Sequence, residues 1–382
     1  MQPPDNLTQF QANVRAFVEK TLLPEVNKID EAEQIDRSLI QAMANQGFLG
    51  ASIKKKNGGQ ALPSDHLMVL HKEVARAHGS LENLVTVTGM VAAAVERFAK
   101  SDLIRDYVKA LAKGELIGGF AMTEPNIGSN LSHVETTITR DGDDYVINGV
   151  KTWITLAQIA DFFVVLGRTR DNHTQVILVD RSTPGLSVEP IRGMIGLRAN
   201  MLGTVTFDQC RVPAHYLLGS ETQGLALSAT FGLHEGRFTT ACGCLGLADA
   251  ALEVMTERCI SRQQAGKPLY RHQLVQKMLS ETLVAVMSAQ ELVNRAAEAR
   301  DMASPDMVQA IMIAKYAASQ AARLASNNAV QLLGASGCHA VNHAERYFRD
   351  AKAMEIIEGT TQIHEIQIAL AYIATNVERA AA

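Results

Sequence analysis

The residues best suited by type and spacing to do chemistry lie near the C-terminal end, in Ile356-Ile357-Glu358-Gly359-Thr360-Thr361. Glycine interrupts the helical pattern here. One helix should end near Ile357 and another begin after Gly359, with Thr360 or Thr361 as its N-cap. Glu358 falls at that break, beside two isoleucines. A carboxylate pressed among apolar side chains loses hydration, so its pKa rises and it can accept a proton. The helix N-terminus behind it opposes part of that rise. An ordinary solvated helix-end carboxylate would sit in the same string of residues, and the stretch alone leaves both readings open.

The elements that must position Glu358 can be read from the rest of the chain. It has 382 residues, 47% hydrophobic and 20% charged. That is enough for a large core and for two or three domains. From about Leu7 to Lys113 the pattern is helical: Phe10, Val14 and Phe17 share a face that Pro24 should close, and Ile40, Met43 and Phe48 repeat the period. His66 to His78, Val85 to Lys100 and Leu103 to Leu111 continue it, and none of this third holds an evident constellation of acids, bases or nucleophiles. After Gly118-Gly119 short strands take over: Asp144 to Ile154, with a tight hairpin expected at Asn148-Gly149, then Asp161–Leu166, Thr174–Val179, Gly185–Val188 and Gly203–Phe207. Long alanine- and leucine-rich helices return from about Gly224: Leu225–Cys259, Leu274–Arg300, Met307–Leu333 and Thr361–Val377. The expected class is α+β, divided as helices (1–117), a β domain (118–222) and a helical bundle (223–382).

A net charge of −4 offers no basic excess for nucleic acid. Five cysteines, an odd number, and no basic and apolar leader in Met1-Gln-Pro-Pro-Asp point to reduced thiols and a cytoplasmic protein. Cys242-Gly-Cys244 reads as packing. His339 and His343 are spaced for one helix face but lack further ligands, so no metal is expected. The apolar tract Leu84–Phe98 is too short and too polar to span a bilayer.

Several strings together resemble the acyl-CoA dehydrogenase family. Arg349-Asp350-Ala351-Lys352, an apolar run, then Glu358-Gly359-Thr360 and Gln362-Ile363 is similar to its C-terminal signature. The resemblance implies that Glu358 removes the α-proton of an acyl thioester. Thr123-Glu124-Pro125-Asn126-Ile127-Gly128-Ser129 resembles the family's flavin-contacting Thr-Glu-Pro-x-x-Gly-Ser, which carries over Met122 by its backbone, Thr123, Gly128 and Ser129, with Asn130 where Asp is usual. Trp153-Ile154-Thr155 resembles a Trp-Ile-Thr that lies beside the isoalloxazine ring. Arg262 to Gln273 resembles a segment reaching the FAD of a neighbouring subunit, with Ala265 in place of Phe. Gln331-Leu332-Leu333-Gly334 resembles another cofactor segment, with Ala335 in place of its second Gly. Thr360 and Gln362 match further flavin contacts. In order, these strings cover about residues 115 to 370.

The resemblance implies an N-terminal helical domain, a central β domain, a C-terminal four-helix bundle, one FAD per subunit and a homodimer or dimer-based homotetramer. It implies α,β-dehydrogenation of an acyl-CoA or acyl-carrier-protein thioester, with flavin N5 accepting a hydride and an electron-transfer flavoprotein as a partner. Ser129, His234 and Arg237 fall where relatives hold substrate, with His234 replacing a common Asp. Some relatives carry the base just before the arginine matching Arg237. Here that position is Gly236, and Glu235 is a weaker rival to Glu358. Gly79-Ser80-Leu81, Ser304 to Met307 and Ala353 to Glu358 look more like the branch that oxidises carrier-bound acyl groups for hydroxymalonyl extender units in polyketide biosynthesis. Two other classes share the fold: a flavin oxidase or monooxygenase, and a non-catalytic helical binding protein.

Overall fold

The computed structural model describes residues 6–381; the stretch Met1–Asp5, expected to hold no leader, lies outside them. The first segment is helical, with α1 (Leu7–Phe17), α2 (Val26–Ala32), α3 (Arg37–Asn45), α4 (Ser64–Ala77), α5 (Gly79–Phe98) and α6 (Asp102–Ala112). Phe10, Val14 and Val18 form the buried face of the first run. Pro24 does not end that run. A π turn (Val18–Leu22) and a 3-10 turn (Leu23–Glu25) carry the chain into α2, because a proline in a first turn forfeits no hydrogen bond. The tract Leu84–Phe98 is most of α5, buried in the core.

An eight-stranded sheet follows, made of β1 (Gly118–Ala121), β2 (Thr137–Asp141), β3 (Asp144–Ile154), β4 (Phe162–Arg168), β5 (Thr174–Asp180), β6 (Leu186–Pro190), β7 (Gly203–Pro213) and β8 (Leu217–Leu218). Its order is β6-β7-β3-β2-β4-β5-β8, with β1 parallel to β4. Phe162, Val164 and Leu166 of β4 join the core shared with the helices, while Phe163 and Val165 join a second core within the sheet. Both faces are covered, which is why β4 is a continuous apolar run. The expected hairpin at Asn148-Gly149 is absent. β3 passes straight through it with a bulge, and Asn148 Oδ1 accepts the Gln209 N–H at 2.8 Å. The turn lies earlier, between Asp141 and Asp144, where Gly142 has φ +64°.

The last segment is a bundle of α7 (Thr230–Ser261), α8 (Gln273–Asp301) and α9 (Met307–Leu333), with α10 (Ala344–Met354) and α11 (Thr361–Ala381) against α9. A two-strand hairpin, β9 (Gln263–Gln264) and β10 (Lys267–Pro268), links α7 to α8. Among the described residues one run, Gly224–Ser261, is long and apolar enough to cross a membrane, but 78% of its most apolar window is buried within the fold. His339 and His343 are not on a helix face; they lie in the turn before α10.

α10 pins the three segments together. Arg346, fully buried, donates to Ala77 O at 3.0 Å, and Arg349 pairs with Asp30 at 2.8 Å. Asp350 accepts the Leu197 N–H at 2.6 Å and the Gly79 N–H at 3.2 Å. Gly196 lets this helix approach, since a Cβ there would sit 2.1 Å from Arg349 O. Asp350→Ala would strand two buried amides. We expect a loss of about 3 kcal/mol, from roughly 1.5–3 kcal/mol per hydrogen bond to a charged group, read as a lowered denaturant midpoint at unchanged slope.

Candidate active site

A cavity of about 350 Å³ opens where the three segments meet. α5 contributes Asn83, Val87 and Met90, which share one helical stripe at i, i+4 and i+7. The sheet segment contributes Phe120, Met122, Thr123, Gly128, Ser129, Leu131, Trp153, Ile154 and Thr155; the bundle contributes Leu233, Arg237, the turn from Ile356 to Thr360, and Ile363. Nine residues singled out in the sequence therefore share one space: Met122, Thr123, Gly128, Ser129, Trp153, Thr155, Arg237, Glu358 and Thr360. Arg262, Gln273, Gln331, Gly334 and Gln362 are exposed and do not line it. His234 is half-buried on α7, next to the wall residue Leu233. Burial, with Arg237 adding to it, pushes its pKa down to about 4, so its ring is neutral near pH 7.

Local backbone chemistry places Glu358. α10 ends at Met354, and Glu358 takes the left-handed conformation at φ +56°. Gly359 follows at φ +103°, a backbone conformation that calls for glycine, and a Cβ there would sit close to His364 Nε2, at 3.2 Å. Thr360 Oγ1 caps α11 by accepting the Ile363 N–H at 3.4 Å. Two cations clamp the turn through its carbonyls. Arg237 Nε donates to Glu358 O at 3.2 Å, and Lys315 Nζ donates to Glu355 O at 3.2 Å and Gly359 O at 2.8 Å.

The Glu358 carboxyl is thus left free. Its Oε2 is buried without a hydrogen-bond partner. Burial pushes its pKa up to about 7; Arg237 and Lys315 oppose the rise and Glu82 adds to it. Gly236 leaves the room it occupies, because a Cβ there would lie 2.5 Å from Glu358 Oε2 and 2.6 Å from Met90 Sδ. Glu235, the rival acid, is instead paired with Arg300 and does not line the cavity. Buried His364, beside Gly359, has its pKa pushed down to about 4, chiefly by burial. A neutral imidazole there adds no charge near pH 7.

The opposite face is built on Glu124. Its carboxylate accepts the Glu135 N–H at 2.5 Å, the Thr136 N–H at 2.8 Å and Lys151 Nζ at 2.8 Å. Burial would raise its pKa, but Lys151 and these donors hold it below the usual range. Lys151 also donates to Met122 O at 2.9 Å, so one buried pair fixes the turn that presents Thr123 and Ser129. Trp153 sits at φ +59°, where the β3–β7 register shifts, and the residue is 54% exposed. The Thr123, Ser129 and Thr155 hydroxyls have no protein hydrogen-bond partner among the described residues. An uncovered indole beside free hydroxyls suits a planar, polar-edged ring such as a flavin.

Sequence reasoning missed Asn83, Val87, Met90 and Lys315. The first three form a stripe on α5 with a helical period, but a period does not distinguish a core-facing residue from one facing a cavity. Nothing around Lys315 in its alanine-rich run marks it as buried.

Three family models match the chain: the acyl-CoA dehydrogenase N-terminal domain over residues 4–115, the middle domain over 119–210 and the C-terminal domain over 222–373. The short-chain specific mitochondrial acyl-CoA dehydrogenase of Rattus norvegicus is 32% identical over 371 residues, 96% of this chain and 90% of that protein. The structure of a glutaryl-CoA dehydrogenase from Mycobacterium smegmatis in complex with FADH2 aligns with a TM-score of 0.91 at 27% identity, covering 97% of this chain and 95% of that one. The structure of FkbI, described as serving biosynthesis of the methoxymalonyl extender unit of a polyketide immunosuppressant, aligns with a TM-score of 0.86 at 30% identity, covering 95% and 99%.

Fold and cavity together define an FAD-dependent dehydrogenase. The chain belongs to the acyl-CoA dehydrogenase family, whose members bind FAD and dehydrogenate acyl-CoA thioesters.

Lys315→Met removes one of the two cations facing Glu358. The carboxyl should then titrate still higher than about 7, because losing a positive neighbour favours the neutral form. A carbon-13 NMR titration of glutamate carboxyls measures this; an unmoved midpoint would contradict it.

Proposed function

We propose that Glu358 is the base that removes the α-proton of an acyl thioester, and that the face made by Met122, Thr123, Gly128, Ser129, Trp153 and Thr155 receives the flavin ring. One observation carries this reading: a half-buried carboxyl, with one oxygen buried and unpartnered and its pKa pushed up to about 7, opens into the same cavity as that face. A carbonyl acidifies the adjacent C–H, and a base poised near the working pH is best matched to remove that proton. FAD, when bound, supplies the acceptor for the hydride leaving the β-carbon. Arg237 orients Glu358 through its carbonyl, Ser129 and Arg237 border the substrate side, and His234 lies behind the wall as a neutral group toward the thioester arm.

We assign Thr360, Gln362, Gln331 and Gly334 to FAD as well, and Arg262 and Gln273 to the FAD of a neighbouring subunit. The exposure of Arg262 and Gln273, away from this chain's own cavity, supports their assignment to a neighbour's cofactor. So do the uncovered apolar residues Leu274, Val284 and Met287 on α8 and Leu370 and Ile373 on α11, which a homodimer or homotetramer would bury. All five cysteines are free thiols, in keeping with a reducing, cytoplasmic setting. For substrate we favour a carrier-protein-bound hydroxyacyl group of secondary metabolism, on the likeness to FkbI, with an electron-transfer flavoprotein as the electron acceptor.

Glu358→Gln should keep its flavin absorbance and lose roughly 10²- to 10⁴-fold in turnover; normal turnover would overturn the assignment. In the wild type, kcat/KM should fall as pH drops below about 7 and level off above it, since only the unprotonated carboxyl accepts a proton. Anaerobic titration of the flavin band with matched acyl-CoA and acyl-carrier-protein thioesters tests the carrier. Preferential bleaching by the CoA ester would count against carrier-bound substrate.

A further inference from the structure

Two buried glycines on α7 each make room for a carboxyl. Gly236 leaves space for Glu358. Gly243 is seven residues further on and so on the same helical stripe. It leaves space for Glu82 of α5, since a Cβ there would lie 2.7 Å from the Glu82 Cδ. Glu82 is 0% exposed and does not line the cavity. Its Oε1 is 2.8 Å from His71 Nδ1 and accepts from Thr86 Oγ1 at 2.6 Å, while its Oε2 is buried without a partner. No lysine or arginine among the described residues is bonded to it. An acid left in that state costs stability, and the reaction as derived so far gives it no task.

Hydroxyls tie the two glycine pits together. Thr86 Oγ1 is 3.0 Å from Thr239 Oγ1, and Thr239 Oγ1 is 3.2 Å from the Gly236 carbonyl oxygen. Seven residues of helix span about 10 Å, so the pits stand roughly that far apart along one dry face. The other groups bearing on Glu358 are Arg237 on α7, Lys315 on α9 and the neutral His364 on α11. Around Glu82 stand His71 on α4 and the Cys242 and Cys244 thiols on α7, which burial keeps protonated. Further charges are closed on themselves: Lys72 pairs with Asp249 at 2.8 Å, and Arg300 with Glu235. Glu82 is thus the acid of this group without a bonded lysine or arginine, and its charge adds to the rise in the Glu358 pKa.

We propose that Glu82 is a positioning residue for Glu358: a second carboxyl, seated in the next glycine pit of the same helix face, that offsets from behind the two cations bearing on the first. This rests on the reading of Glu358 as the base, and it explains why an acid is buried where no substrate reaches it.

The test uses FAD-loaded enzyme carrying Glu82→Gln, which removes the charge at nearly constant shape, and Glu82→Asp, which keeps it. Two midpoints are measured in each: that of kcat/KM against pH, and that of the Glu358 carboxyl by carbon-13 NMR, its signal identified by loss in Glu358→Gln. Removing a negative neighbour favours the ionised form. Two charges about 10 Å apart at an effective dielectric near 20 shift one another by roughly one pH unit. Both midpoints should therefore fall by about half a unit to one unit in Glu82→Gln and stay near the wild-type value in Glu82→Asp. Should the glutamine variant fail to hold flavin, Glu82→Met removes the charge without stranding an amide and serves for the same comparison. An NMR midpoint that stays put in the uncharged variant, or falls as far in Glu82→Asp, overturns the proposal. An NMR midpoint that falls while the kcat/KM profile does not move upholds the coupling and overturns the assignment of Glu358 as the base.

Discussion

The structure depends on keeping one oxygen of one carboxyl out of water. Burying a carboxylate without compensation is strongly unfavourable, and the group would ordinarily take up a proton instead. Here the compensation is indirect. Neither cation is bonded to the Glu358 carboxyl; Arg237 and Lys315 bond to carbonyls of its turn and act on it through the field. A direct ion pair would hold the group ionised but occupy the oxygens that the proposed proton transfer uses. Clamping the backbone leaves Oε2 without a partner and its charge state balanced near neutrality.

The surrounding architecture serves that balance. The turn needs a left-handed residue followed by glycine, a hole in α7 at Gly236, and a lysine reaching in from α9. α10 delivers the turn, and it is held by Asp350 to the amides of Gly79 and Leu197, one in each of the other two segments. The facing wall uses the opposite solution. Glu124 and Lys151 are a direct, fully buried ion pair, and their task is to fix a loop whose hydroxyls stay free. One wall is therefore rigidified by charges that cancel, and the other is tuned by charges kept slightly apart.

Much of this was legible in the chain. Helix-breaking glycine beside Glu358, the alternation of strands and the long alanine-rich helices all have local causes, and they appear where local reasoning puts them. The failures share a cause too. Asn148-Gly149 has the composition of a hairpin turn, but pairing with β7 keeps β3 extended through it as a bulge. Pro24 is a helix breaker only in a helix interior, and here it falls in a first turn. Asn83 and Lys315 became visible only once tertiary packing showed what each one faces. Arg262 and Gln273 are the reverse case: conspicuous as a string, yet away from the cavity of their own chain.

Cys242 and Cys244, set aside early as packing, acquire a use. Cys210, Cys242, Cys244 and Cys259 are buried and Cys338 is exposed. Cys242 and Cys244 lie on the stretch of α7 just after Arg237, at the centre of the bundle, and burial pushes the Cys244 thiol up to about 12. Reaction with a thiol reagent requires both exposure and a thiolate. The chain thus carries its own clock for breathing of the bundle: one exposed thiol as an internal standard, and a pair on the same helix as cavity-lining Arg237 that can label only when α7 comes away from its neighbours.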